Sequence, residues 1–101
     1  MENENMENRK ITLSSRVEVA QEVVSCDLAG EAAILNMKDG VYYGLDPVGA
    51  SIWNRIQKPA LLVDVRDQIL HEYDVGEEEC QSDLLELVEQ LVEKGLVEVL
   101  D

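Results

Sequence analysis

His71, Cys26 and Cys80 are the one histidine and the two cysteines of this 101-residue sequence, and with them the candidates for an imidazole base and a thiol nucleophile. A reactive thiol needs a base or a cation beside it to lower its pKa. Neither cysteine has a basic neighbour in sequence, and His71 sits between Leu70 and Glu72 with nothing to mark a partner, so it reads as a surface or rim residue. The cysteines lie far apart, outside any CxxC or zinc spacing, and read as reduced, partly buried thiols. Carboxylates are plentiful, but Glu77, Glu78 and Glu79 form a run where a helix begins, a position the helix dipole stabilises without any catalytic role. There is no P-loop and no GxGxxG. The inventory argues against an enzyme and offers neither a metal ligand set nor a cofactor motif.

The totals bound the rest. A chain of 101 residues makes one domain, and 46% hydrophobic residues with 4% aromatics and no Phe leave Ile, Leu and Val to build its core. A net charge of −14 argues against nucleic acid, whose phosphates need a basic surface, and suits a cationic partner or plain solubility. The start "MENENMENRK" has no apolar core of a signal peptide, and no apolar stretch approaches the roughly 20 residues that span a bilayer. These features lead us to expect a soluble, cytoplasmic protein.

The elements that would position any site follow from periodicity. Residues 1–15 are polar, without period, and read as a disordered tail, leaving 16–101 as the folded domain. Val17 to Leu28 is β-like, with Val24, Cys26 and Leu28 alternating against Ser25 and Asp27 as a half-buried strand. "AAILNM", Ala32 to Met37, makes a second strand, and Val41 to Leu45 a third. A three-residue loop, Lys38-Asp39-Gly40, would pair Met37 with Val41, place Gly40 in the left-handed position, and put Ala33, Leu35, Met37, Val41, Tyr43 and Leu45 on one face. Asp46-Pro47 is an N-cap followed by Pro at N1, opening a first helix over Val48, Ile52, Trp53 and Ile56 that ends before Pro59. Leu62, Val65, Ile69 and Tyr73 mark a second helix. Asp74 and Glu77 have capping-box spacing before the longest helix, striped by Cys80, Leu84, Leu87, Val88 and Leu91 and stopped by Gly95. The closing "LVEVL" alternates as a short strand would. A three-stranded antiparallel sheet followed by three helices is an α+β fold, with the outline of a winged helix-turn-helix.

With catalysis thin, binding is what remains. If strand order follows chain order, Val41–Leu45 is an edge without Lys or Pro, and such an edge accepts an extended peptide as an added strand. A helix covering that edge is the ordinary alternative. A small acidic carrier protein is a further one, but carriers present a serine directly after an aspartate at a helix start, and here Pro47 follows Asp46.

"ILNMKDGVYYGLDPVGASIW", the helix ending "EYDV" and the helix ending "EKGLVEV" resemble the PqqD-like family, the precursor-peptide recognition elements, over about residues 17–100. The tyrosine pair and Ile-Trp are most similar to the stand-alone proteins of split lasso-peptide maturation systems. Members that serve pyrroloquinoline quinone synthesis, the alternative pathway, tend to carry a Tyr-Pro-Glu-Gly-type turn and no Trp. A Ser or Thr cap commonly opens the second helix in relatives, whereas Leu61 and Leu62 stand here. The resemblance implies a non-catalytic protein without cofactor. It implies that the leader segment of a ribosomally made precursor adds to Val41, Tyr42, Tyr43, Gly44 and Leu45, lies against Asp83, Leu84, Leu87, Val88 and Leu91 of the third helix, and is presented to a separate cysteine-protease leader peptidase. Tyr43 would then face the helices and Tyr42 the open side of the sheet. From Glu77 to Asp101 there are nine acidic residues and one lysine, which suits a lysine-bearing leader, although most of a charged helix face is simply solvated.

Overall fold

The structure, a computed structural model, describes residues 11–100. Two antiparallel three-stranded sheets and three helices alternate along the chain: β1 (Arg16–Val19), β2 (Val23–Leu28), β3 (Glu31–Asn36), β4 (Val41–Leu45), α1 (Pro47–Arg55), β5 (Ala60–Leu61), α2 (Leu62–Glu72), α3 (Glu77–Glu93) and β6 (Val97–Val99). The expected sheet is β2-β3-β4, followed by the three expected helices, and the class is α+β with a winged helix-turn-helix-like outline. A second sheet, β5-β1-β6, goes beyond the sequence expectation. The Val17–Leu28 segment divides at Ala20-Gln21-Glu22, and its first half pairs with the closing strand, Val17 opposite Val99 and Val19 opposite Val97. Such pairing joins the two ends of the chain, which local periodicity cannot reveal.

The core is aliphatic around one indole. Trp53, Ile34, Ile56, Leu62, Leu84, Val17, Val65, Val88 and Leu96 are all at most 1% exposed. The expected disordered tail, 1–15, needs correction at its end: Ile11 is buried in the core, and the carbonyls of Leu13 and Ser15 accept from the amides of Val63 and Leu62. Residues 1–10 lie outside the described residues. Those two bonds also account for α2 starting without a side-chain cap, since the chain before β1 satisfies amides that a Ser or Thr would otherwise serve.

The hairpin register differs from the expected one by a residue. Asn36 pairs with Val41, Ile34 with Tyr43 and Ala32 with Leu45, so four residues, Met37–Gly40, form the loop. Gly40 does take the left-handed conformation (φ +71°), and its amide donates to the Asn36 carbonyl at 2.8 Å. The cause is Asn36. Its Oδ1 accepts from the Lys38 amide, and its Nδ2 donates to the Lys94 carbonyl at the end of α3, so this polar residue points inward and is only 5% exposed. The helix-facing set is therefore Ala32, Ile34, Asn36, Val41, Tyr43 and Leu45. Ala33 and Leu35 face out, and Met37 leaves the ladder for the loop. β2 is inverted in the same way: Ser25, not Cys26, turns inward and accepts from Trp53 Nε1 at 2.9 Å, while Val24 and Leu28 stand exposed. Both faces of this sheet are apolar, so hydrophobic alternation alone selects the wrong one.

Helix ends follow local chemistry. Asp46 caps α1, its Oδ1 accepting from the Gly49 amide at 2.8 Å. The Asp74–Glu77 box does not form; Gly76 is the N-cap of α3 without a side-chain bond, and Glu77, Glu78 and Glu79 supply the negative charge at that end. Gly95 (φ +76°) closes α3 in a Schellman arrangement, with Leu96 N–H to Leu91 C=O and Gly95 N–H to Val92 C=O.

Candidate functional site

β2 and β4 are the two edges of their sheet, and of the two it is β4 that borders a cleft. That cleft, of about 520 Å³, opens between the C-terminal end of β4 and α3. Gly44, Leu45 and Asp46 form one wall, Val48, Gly49 and Ile52 of α1 with Ile69 of α2 the floor, and Val75 and the α3 residues Glu79, Cys80, Asp83, Leu84, Glu86, Leu87 and Gln90 the rest. Gly49 keeps α1 close to β4: a Cβ there would meet Asp46 Oδ1 at 3.2 Å and Leu45 Cβ at 3.3 Å.

Of the residues singled out in the sequence, Gly44, Leu45, Asp83, Leu84 and Leu87 line this cleft together. Val88 and Leu91 do not; at 0% and 3% exposed they are core residues beneath it. Val41 and Tyr42 lie on the edge strand outside the cleft, Tyr42 being 72% exposed on the outer sheet face. Tyr43 turns inward, half-buried against the core, with the Lys94 ammonium 5.9 Å from its ring centre. Sequence reasoning missed Glu79, Glu86 and Gln90, although 79, 83, 86 and 90 follow each other at the three- and four-residue steps of one helix face. It also missed Val48, Ile52, Ile69 and Val75, whose apolar character marks core and cleft floor alike.

The cleft is apolar below and acidic at its rim, and among the described residues no lysine or arginine lines it. Arg66 of α2, the cation beside the start of α3, is taken on the helix's other flank by Asp67 at 2.9 Å, Gln81 at 3.2 Å and Glu77 at 3.6 Å. Burial pushes the Cys80 thiol above its ordinary value; the Arg66 charge pulls it back in part, and Asp83 adds to the rise. It is thus held protonated at neutral pH. Cys26 lies on the exposed outer sheet face and His71 on the exposed side of α2, so no thiol–imidazole pair is assembled among the described residues. Among these residues no group of three or more His, Cys, Asp or Glu is placed to hold a metal ion, and no helix is long and apolar enough to cross a membrane.

A second surface accompanies the cleft. The outer face of β2-β3-β4 carries Val24, Cys26 and Leu28, then Ala33 and Leu35, then Tyr42, with Met37 at the loop. Tyr42, Met37, Leu28 and Val24 are between 49% and 72% exposed. On a chain with 30% charged residues these apolar side chains form one contiguous exposed face, with Glu31 as the charged residue of β3 at its margin.

The family described as Coenzyme PQQ synthesis protein D (PqqD) matches the chain over residues 31–97. No curated protein matches it. Among solved structures, TbiB1 in complex with the TbiA(beta) leader peptide is similar, with 31% sequence identity and a TM-score of 0.75 over 80% of this chain and 94% of that one. Lasso peptide synthetase B1 complexed with the leader peptide is similar in fold, at 24% identity and a TM-score of 0.67 over 81% of this chain and 96% of that one.

Proposed function

Because the chain belongs to the PqqD family, we propose that it is a leader-peptide recognition protein: it captures the leader of a ribosomally made precursor by strand addition and presents it to a separate cysteine-protease leader peptidase in lasso-peptide maturation. The observation that carries this reading is the adjacency of an open, uncharged strand edge, β4, to the apolar cleft. An added strand satisfies the unpaired amides and carbonyls of that edge, and its side chains alternate, so every second one turns into the cleft. A few main-chain hydrogen bonds at about 1 kcal/mol each and one or two buried apolar side chains at about 1.5–3 kcal/mol each exceed the cost of ordering a short peptide. The similarity to TbiB1, itself seen with a leader peptide, supports the partner class. The Tyr42-Tyr43 pair and Ile52-Trp53 support a lasso system over the quinone pathway. The protonated Cys80 and the isolated His71 support a partner that leaves bond cleavage to another protein. The uncovered outer face of the sheet supports docking of that protein alongside the bound leader.

The test uses the full chain and synthetic leader peptides of lasso precursors, with the TbiA(beta) leader as the first probe. Calorimetry is expected to show one-to-one binding, and the precursor's mass to stay unchanged over hours until the peptidase is added. A Leu28→Asp, Met37→Asp variant, altered on the outer sheet face away from β4, keeps leader affinity within about twofold and slows peptidase cleavage. Absence of leader binding, or cleavage by this chain alone that Cys80→Ala or His71→Ala abolishes, would overturn the reading.

A further inference from the structure

The rim of the cleft is as ordered in its chemistry as the floor. Glu79, Asp83 and Glu86 succeed one another at i, i+4 and i+7 on the flank of α3 that borders the cleft, spanning about 10 Å of helix at 1.5 Å per residue. Like charges at these spacings repel and weaken a helix that holds them without a counter-ion. The same helix shows what neutralisation looks like: on its other flank, Glu77 and Gln81 converge on Arg66. Two further cations of the neighbourhood are also engaged, Lys94 over the ring of Tyr43 and Arg55 with Glu72 and Ser51. Among the described residues no ion pair is formed by Glu79, Asp83 or Glu86, and the fourth rim carboxylate, Asp46, is occupied in capping α1.

We propose that this row reads a cation in the bound peptide: a Lys or Arg two residues away, on either side, from the large apolar side chain that fills the cleft. The inference rests on the strand-addition reading above and extends it from where the peptide lies to what it must contain. In a strand, residues i and i+2 emerge on the same face, about 6.7 Å apart at 3.3–3.4 Å per residue. A residue two positions from the anchor therefore points to the α3 side. A long basic side chain reaches from there to carboxylates at the cleft mouth, its methylenes covering the apolar wall of Leu87. The occupant is thus a peptide of alternating pattern, apolar then basic on one face. An acidic or uncharged strand of the same shape fits the floor and lacks the rim contact.

A display selection of randomised 12-residue peptides against the full chain tests this for any leader sequence. The expected consensus is a Leu, Ile or aromatic anchor with Lys or Arg enriched at the second residue to one side. In a peptide so selected, changing the cation to Gln should weaken binding about fivefold and to Glu about twentyfold, in keeping with rim pairs that each contribute modestly. On a Glu79→Gln, Asp83→Asn, Glu86→Gln variant, the Lys and Gln peptides should bind within about twofold of each other, and selection on Asp83→Lys should favour Asp or Glu at that position. These substitutions lie on the exposed flank of α3, and a urea curve with unchanged slope verifies the fold. A consensus with the anchor and no basic enrichment, or an Asp83→Lys variant with unaltered preference, would overturn the rim inference and leave strand capture standing. Selected peptides that ignore both the cleft and β4 would instead remove the reading beneath it.

Discussion

Leu87 and Leu91 stand one turn apart on α3 and separate what binds from what folds. Leu87 is half-buried and lines the cleft, while Leu91 is 3% exposed in the core and does not line it. Leu87→Ala should lower leader affinity about tenfold by removing most of one apolar wall, with under about 1 kcal/mol lost in stability. Leu91→Ala should cost about 2–5 kcal/mol of stability through the cavity it leaves, and the folded fraction should bind leader within about twofold of the wild type. Urea midpoints and calorimetric affinities on the two variants check the pair. The reverse assignment, stability loss at Leu87 and affinity loss at Leu91, would mean that the cleft floor is misplaced by a turn.

At the scale of elements, the end of α3 holds the site together. Its Schellman closure needs Gly95 at φ +76°, and Asn36 of β3 reaches the Lys94 carbonyl there, tying the sheet to the helix. Gly95→Ala should therefore cost about 1–2 kcal/mol from backbone conformation alone, because an added Cβ finds only Asn36 Nδ2, at 4.0 Å. A urea titration giving no loss would show that the left-handed closure contributes nothing. These same elements show what is legible in the sequence. Asp46-Pro47, the Leu62–Val65–Ile69 stripe, Gly95 and the edge position of Val41–Leu45 are local signals, and each element or turn lies where they point. The register of β3 is not legible, because Asn36 is polar by type yet inward by its two side-chain bonds, and because an apolar outer face removes the contrast that alternation relies on. The closing strand β6 lies where "LVEVL" alternates, but the β5-β1-β6 sheet escapes for a different reason. Its strands have partners distant in sequence, and two of them are only two or three residues long. Half of the cleft is visible as the Leu84–Leu87 stripe; Glu79 and Glu86 look like solvated charge, and only the position of β4 relative to α3 shows that they line a rim.

For the molecule as a whole, surfaces of different character meet at one strand. β4 borders the cleft, with its acidic rim, at its C-terminal end, presents the open edge, and contributes Tyr42 to the largely apolar outer face. A peptide added to β4 would place alternate side chains in the cleft and beside Tyr42, so that capture and presentation share one backbone. The claim on which the rest depends is that the peptide is a strand. Backbone N-methylation of the bound peptide, one residue at a time, addresses it directly, since each substitution removes one donor and leaves the protein untouched. Strand addition predicts alternation: affinity falls at least about fivefold at every second residue across the segment facing Val41–Leu45, in line with about 1 kcal/mol per hydrogen bond, and stays within about twofold at the residues between. Uniform tolerance, or losses at three- and four-residue spacing, would mean a helix or a side-chain-only contact and would contradict the account.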